Sequence, residues 1–205
     1  MLRILLIGLC CFIFLNANAQ RFKSEVQVGI VGSQVSGDDL SGFDKAGFLG
    51  GIGVRTDFKK NKFSLGFKIL YLQKGSRKPS KLDQGDPTFY LLQLNYLEVP
   101  FQFRYLISKK IYVEAGPSFA YLVKSKEQDQ DGELASRDPF SKFDFSIAGA
   151  IAYSLNKQWD IRFEAWQSLL PIREHSNGNT YRLNQGQYNS VIALSIQYTI
   201  KSAHH

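Results

Sequence analysis

From Ile111 to Val123 every odd position is apolar (Ile111, Val113, Ala115, Pro117, Phe119, Tyr121, Val123), while the even positions include Glu114, Gly116 and Ser118. A period of two belongs to a β-strand whose two faces meet different surroundings. Alternation of this kind recurs in eight stretches: Ser24 to Val35, Lys45 to Phe58, Phe63 to Lys74, Tyr90 to Ile107, Ile111 to Val123, Lys142 to Leu155, Trp159 to Leu169 and Tyr188 to Lys201. Most are longer than the five or six residues usual in globular sheets. They reach the nine or so that a tilted strand needs to cross hydrocarbon.

The connections sharpen this reading. Long polar segments at 36–44, 75–89, 124–141 and 170–187 alternate with short turns at 59–62, 108–110 and 156–158. In an up-and-down barrel alternate connections fall at opposite ends, and outer-membrane barrels keep periplasmic turns short and extracellular loops long. The expected fold is all-β, an eight-stranded antiparallel up-and-down transmembrane β-barrel with both termini and the three short turns in the periplasm.

The start of the chain agrees with export. Arg3 precedes an apolar run from Ile4 to Leu15, and Ala17 and Ala19 offer small residues for cleavage. This is the order of a secretory signal peptide, and the run is too short to span a membrane. The expected division is residues 1–19 as signal peptide and 20–205 as one barrel domain, placed in the bacterial cell outer membrane after cleavage following Ala19. Both cysteines, Cys10 and Cys11, fall in the leader, so the mature chain has neither disulfides nor thiolate metal sites. The formal charge of +7 invites a polyanion as partner. Export argues against nucleic acid and for outer-membrane lipid, including lipopolysaccharide.

Periodicity alone leaves open whether the apolar face points to lipid or to a soluble core. The other face decides. Lys68, Glu98, Arg104, Glu114, Arg162 and Glu164 sit mid-strand on it, among Gly66, Gly116, Ser118, Ala148, Ala150 and Ala152. A basic residue facing lipid at mid-depth costs about 2–4 kcal/mol, so in a membrane these charges look inward. Eight strands enclose a space that side chains can fill. The six charged residues are therefore read as a structural network in the lumen, each tolerable because opposite charges neighbour it; a proton or ion relay is the less favoured alternative. Aromatic residues collect at two levels, Phe58, Phe63, Tyr105, Tyr153 and Trp159 towards the short turns and Phe48, Tyr71, Phe89, Tyr90, Tyr121, Phe143 and Tyr188 towards the long loops, as interfacial girdles do. Pro100 cannot donate to a closed ladder, so a bulge or bend is expected there.

Several short motifs then gain meaning. Tyr71-Leu72-Gln73-Lys74-Gly75, Tyr96-Leu97-Glu98-Val99-Pro100 and Ala115-Gly116-Pro117, with Gly47-Phe48, Gly50, Gly149 and Leu170-Pro171-Ile172, resemble in order and spacing the PorT-like family of outer-membrane β-barrels. The resemblance covers nearly the whole mature chain. It implies an outer-membrane barrel of bacteroidete-type Gram-negative bacteria. The family takes its name from a component of type IX secretion; the shared motifs are scaffold motifs and carry no site residues across. Many outer-membrane barrels end in an aromatic residue, whereas this chain ends Ile200-Lys201-Ser202-Ala203-His204-His205, which leaves Tyr198 as the nearest substitute.

No pattern marks a catalytic site, a cofactor or a metal. His175 beside Glu174 and Ser176 evokes a nucleophile and base, but neighbours on one loop rarely achieve that geometry, and His204 and His205 stand apart at the terminus. Glu127, Asp129, Asp131 and Glu133 alternate like part of a calcium loop without its terminal bidentate glutamate, and read first as a solvated loop. Lys74, Arg77, Lys78 and Lys81 are read as loop cations, suited to lipopolysaccharide phosphates or simply to water. Lys59, Lys60, Lys62, Lys109, Lys110 and Lys157 make every short turn basic, with nothing in the sequence to separate function from solvation.

The leading reading is a non-enzymatic barrel with a filled lumen and a structural or surface-interaction role, meeting protein partners at its loops or turns. Two alternatives stay open. One is a component of a type IX secretion or outer-membrane assembly complex; the other is a narrow channel or a lipocalin-like binder of a small apolar ligand.

Overall fold

The computed structural model describes residues 22–38, 40, 42–58, 62–80, 85–134, 139–174 and 186–200. The leader with its cleavage point, Lys59, Lys60, Lys81, His175, Ser176, Lys201, His204 and His205 lie outside the described residues.

Among the described residues nine strands run in chain order as β1 (Phe22–Ser36), β2 (Lys45–Asp57), β3 (Phe63–Lys78), β4 (Tyr90–Leu106), β5 (Ile111–Asp129), β6 (Gly132–Glu133), β7 (Phe143–Ser154), β8 (Trp159–Ser168) and β9 (Tyr188–Thr199). Each long strand pairs antiparallel with its sequence neighbour, β5 with β7 across the loop that holds β6, and β9 closes on β1. The result is an eight-stranded closed antiparallel barrel, with the two-residue β6 an appendage folded back on the end of β5. Stepping sideways from Phe22 through Thr56, Leu65, Phe103, Ala115, Gly149, Ala165 and Ile192 returns to β1 at Gly32, ten residues along. A stagger of that size tilts the strands by about 40° to the barrel axis.

The alternation seen in the sequence is the difference between outside and inside. Ile52, Phe67, Phe101, Phe119, Ile147, Ile151, Phe163 and Leu194 are exposed around the wall, while Gln27, Ser33, Ser118, Arg162 and Gln197 are fully buried within it. Phe58, Phe63, Tyr105, Tyr153 and Trp159 form an exposed aromatic ring near the short turns, and Phe48, Tyr121 and Phe143 are exposed near the long loops. Tyr188 departs from the expected upper ring: it points inward and is buried, and Tyr71, Phe89 and Tyr90 are only half-exposed.

Three expectations need correction. Strands β3 and β5 do not stop at Lys74 and Val123 but continue to Lys78 and Asp129, because Lys78 pairs with Tyr90 and Tyr90 with Asp129. Beyond the bilayer both faces of this β3–β4–β5 extension meet water or protein, so the alternation that marks the lower strands fades. Second, Pro100 causes no change of register. The β3–β4 ladder keeps one register from Phe63 and Tyr105 to Lys78 and Tyr90, and the bulge lies instead where Asn95 faces Lys124 but Tyr96 faces Leu122, leaving Val123 extra on β5. Glu98 and Arg104 therefore share the inner face. Third, Lys74 is not a loop cation: it is fully buried inside the barrel.

Candidate functional site

The interior is built in layers, legible along β3 alone. Climbing from the short-turn end, its buried inward side chains are Ser64, Lys68, Leu70, Leu72, Lys74 and Ser76. Lys68 belongs to a lower polar layer, Leu70 and Leu72 to an apolar layer, and Lys74 to an upper polar layer.

The lower layer joins four acids and four bases contributed by strands far apart in sequence. Glu114 is its centre: one carboxylate oxygen accepts from Arg104 Nε at 2.6 Å and the other from Arg162 Nη2 at 2.6 Å. Arg162 also pairs with Glu164 at 3.2 Å and donates to the Tyr112 hydroxyl at 3.1 Å, which donates in turn to Asp160 at 2.9 Å. Arg55 Nε donates to Glu25 at 2.8 Å, and Arg104 lies over the Tyr112 ring at 3.8 Å from its centroid. Glu164 further accepts from Ser195 at 2.5 Å and from Gln27. Lys68 donates to the side-chain oxygens of Gln27 and Gln197, each at 2.7 Å. Its nearest carboxylates are thus reached through neutral amides. Arg162, 0% exposed, is the largest side chain in the interior sealed from solvent.

Above it Val31, Leu49, Leu70, Leu72, Ala148, Trp166, Val191 and Ala193 form a dry layer. The upper polar layer is centred on Lys74, whose ammonium pairs with Glu98 at 2.7 Å and Asp144 at 2.9 Å and faces the Tyr96 ring at 4.8 Å. Ser118 and Ser146 donate to Glu98, and Asn189 donates to Asp144 at 2.9 Å. A second apolar cluster, Val35, Leu92, Leu94, Tyr96, Ala120, Leu122, Phe140 and Ile172, closes the long-loop end. Arg173 caps it, stacked 4.1 Å from the centroid of Phe140 and paired with Glu127 at 2.9 Å. Tyr90 donates to Glu127 at 2.5 Å. Glu127 is therefore tied down by the bulge at Val123, which turns it inward, and is not one of a row of solvated carboxylates.

Of the six charged residues singled out from the sequence, Arg104, Glu114, Arg162 and Glu164 form one ion-paired group, Lys68 joins it through amides, and Glu98 lies a layer higher with Lys74. Glu25, Arg55, Lys74, Asp144, Asp160, Gln27, Gln197 and Tyr112 are among the groups that join them in the interior. Glu25, Gln27 and Arg55 occupy odd positions on β1 and β2 and could have been found by carrying the alternation through those strands, as it already sets Gln197 on the polar face of β9. Among the described residues no cluster of three or more His, Cys, Asp or Glu is placed to hold a metal ion.

Residues 13–174 match the family described as outer membrane protein beta-barrel domain. Among solved structures the chain is similar to Ail, the attachment invasion locus protein of Yersinia pestis, at 13% identity and a TM-score of 0.51, covering 87% of this chain and 98% of that one. Ail in complex with the heparin analogue sucrose octasulfate gives 15% identity and a TM-score of 0.50, covering 88% and 99%. The outer membrane protein OprG from Pseudomonas aeruginosa gives 11% identity and a TM-score of 0.42, covering 89% and 98%. No curated protein matches the chain. At these identities the likeness to Ail is one of fold. The family match spans most of the sequence, and its lipid-ready wall and closed ladder are those of the geometry above: the chain belongs to the outer membrane protein beta-barrel domain family.

Proposed function

We propose that this outer-membrane barrel is a non-conducting, non-enzymatic anchor that presents its extended β3–β4–β5 sheet and long loops as an interaction surface outside the cell. In this reading the leader is cleaved after Ala19 and the short turns face the periplasm, as the general asymmetry of such barrels favours. The six interior charges and their partners serve the structure of the plug.

One observation carries the proposal: the lumen is crossed by two polar and two apolar layers, and Leu49, Leu70, Leu72, Leu92 and Leu94 are each 0% exposed, beyond the reach of a water-sized sphere. An ion would have to part both polar networks and shed its hydration twice in apolar surroundings. At the loop end Arg77 is exposed on β3 and Lys124 on β5, and both suit the phosphates of lipopolysaccharide. The test is conductance in planar bilayers after reconstitution of the full mature chain. A silent membrane, with heat-modifiable migration proving the barrel folded, is the expected outcome; discrete conductance steps would make it a channel instead.

A further inference from the structure

Both ends of the barrel carry cations without a carboxylate partner among the described residues, Arg77, Lys124 and Lys142 at the long-loop end included, but only at the short-turn end do such cations gather round one opening. At the long-loop end Lys78 pairs with Asp86 at 3.0 Å, Lys126 with Glu133 at 3.8 Å and Arg173 with Glu127. Asp86 also accepts from the Thr88 hydroxyl and backbone N–H, and these bonds with the Lys78 ammonium lower its carboxyl pKa to about 2. At the short-turn end Lys62, Lys109, Lys110 and Lys157 have no carboxylate at ion-pair distance among the described residues. They come from all three short turns, and they surround one opening.

That opening leads into a cavity of about 480 Å³ within the barrel mouth. Its lining carries six cations, Lys62, Lys109, Lys110, Lys157, Arg55 and Arg104, against the two acids Asp57 and Asp160. Both acids are occupied: Asp57 by Lys23 at 2.6 Å, by Ser64 at 2.7 Å and by Arg55, and Asp160 by Tyr112. The floor is the lower polar layer, and Leu70 and Leu72 seal the space above it. Whatever enters leaves by the same mouth.

We propose that this vestibule is a binding site for a phosphate-bearing anion of small-molecule size. The volume lies within the range of small-molecule sites and exceeds a lone phosphate. Lysines stand at three corners of the rim, Lys110 against the outer Tyr153 ring, while the guanidinium groups of Arg55 and Arg104 in the floor, already paired with Glu25, Asp57 and Glu114, add positive field more than free donors. A tetrahedral, multiply charged group can accept from all these directions, whereas a planar monovalent carboxylate offers two oxygens to one plane. Phe63, Leu106 and Leu155 on the wall give an organic moiety somewhere to rest. The low-dielectric wall concentrates the field of the lysines into the mouth. A soluble phosphate ester and a phospholipid headgroup bent over the low rim share this chemistry.

The full mature chain, folded in a sugar-headgroup detergent, would be titrated with inorganic pyrophosphate by calorimetry, and probed by native mass spectrometry for retention of phosphatidylglycerol over phosphatidylcholine. Saturable binding of one pyrophosphate per barrel, weakened about tenfold or more in K109Q/K110Q and further in K62Q/K109Q/K110Q/K157Q, assigns a soluble phosphate. Lysine-dependent retention of phosphatidylglycerol without pyrophosphate binding assigns a headgroup. K142Q at the opposite end is expected to change neither, and heat-modifiable migration verifies that each variant is folded. Binding of neither probe, binding that survives the four lysine substitutions, or an equal loss in K142Q overturns the proposal.

Discussion

Glu114 holds two guanidinium groups on one carboxylate, Arg162 sealed from solvent and Arg104 at the edge of the vestibule, both buried. Removing one partner from such a group leaves the others charged and desolvated, which costs about 3–5 kcal/mol, more than the intact arrangement contributes over an apolar packing of equal volume. Glu114→Gln keeps the shape and loses the charge, so it is expected to lower stability by about 3 kcal/mol or more, read from urea unfolding in lipid vesicles by the emission of Trp159 and Trp166. A loss below about 1 kcal/mol would mean that Glu25 and Glu164 take over both arginines. Single residues also mark where sequence reading ended. The face that each of Lys68, Arg104 and Arg162 occupies was legible from a period of two, but their partners were not, because Arg162 and Glu114 lie on strands that are not even adjacent. Lys74 was misplaced because it stands beside Gly75 and the polar residues Ser76, Arg77 and Lys78, a composition that reads as a strand end. In fact a Cβ on Gly75 would sit 2.0 Å from the Leu92 carbonyl oxygen, so this glycine allows β3 and β4 to run on in contact.

At the scale of the strand, lipid and backbone contact set the limits. Ile147 on β7, exposed on the wall, lies midway between Phe143 and Tyr153 of the two aromatic rings, and Leu155, also exposed, lies in the short turn itself. Arginine at mid-depth on the lipid face costs about 2–4 kcal/mol, and near the interface about 0–1 kcal/mol. I147R should therefore fall in the first range and L155R in the second when unfolding is measured in vesicles; equal losses would put the bilayer elsewhere on the wall. The Ala115-Gly116-Pro117 motif admits a second comparison. A Cβ on Gly116 would lie 1.9 Å from the Phe101 carbonyl oxygen, whereas on Gly149 it would meet nothing nearer than 3.8 Å. G116A is expected to lose the heat-modifiable folded form and G149A to keep it. Elements were the most legible level: eight strands and their long and short connections follow from alternation and turn residues. The β-bulge did not, since a single extra residue such as Val123 leaves no compositional trace and is visible only when β4 is laid beside β5.

For the whole molecule the decisive property is that closure and stability are held by different layers. The lower polar layer fixes the strands through ion pairs, but Leu49, Leu70, Leu72 and Trp166 above it close the path whether or not those pairs exist. The two roles can be separated. E114A/R162A removes one charge of each sign, so the net charge of the layer is unchanged; Arg104 keeps Glu25 and Glu164 keeps Ser195 and Gln27, and the change enlarges the vestibule while leaving the apolar layer whole. This variant should fold, by heat-modifiable migration, and stay silent in a planar bilayer. Adding L70A/L72A thins the dry layer from within and should give conductance steps that E114A/R162A lacks. If E114A/R162A alone conducts, the ion pairs are the gate and the leucines only packing, and the interior would have to be regarded as a closed channel. If it stays silent, the vestibule is a blind pocket even when deepened, and an anion drawn in by the turn lysines is held at the barrel's inner mouth and not passed through it.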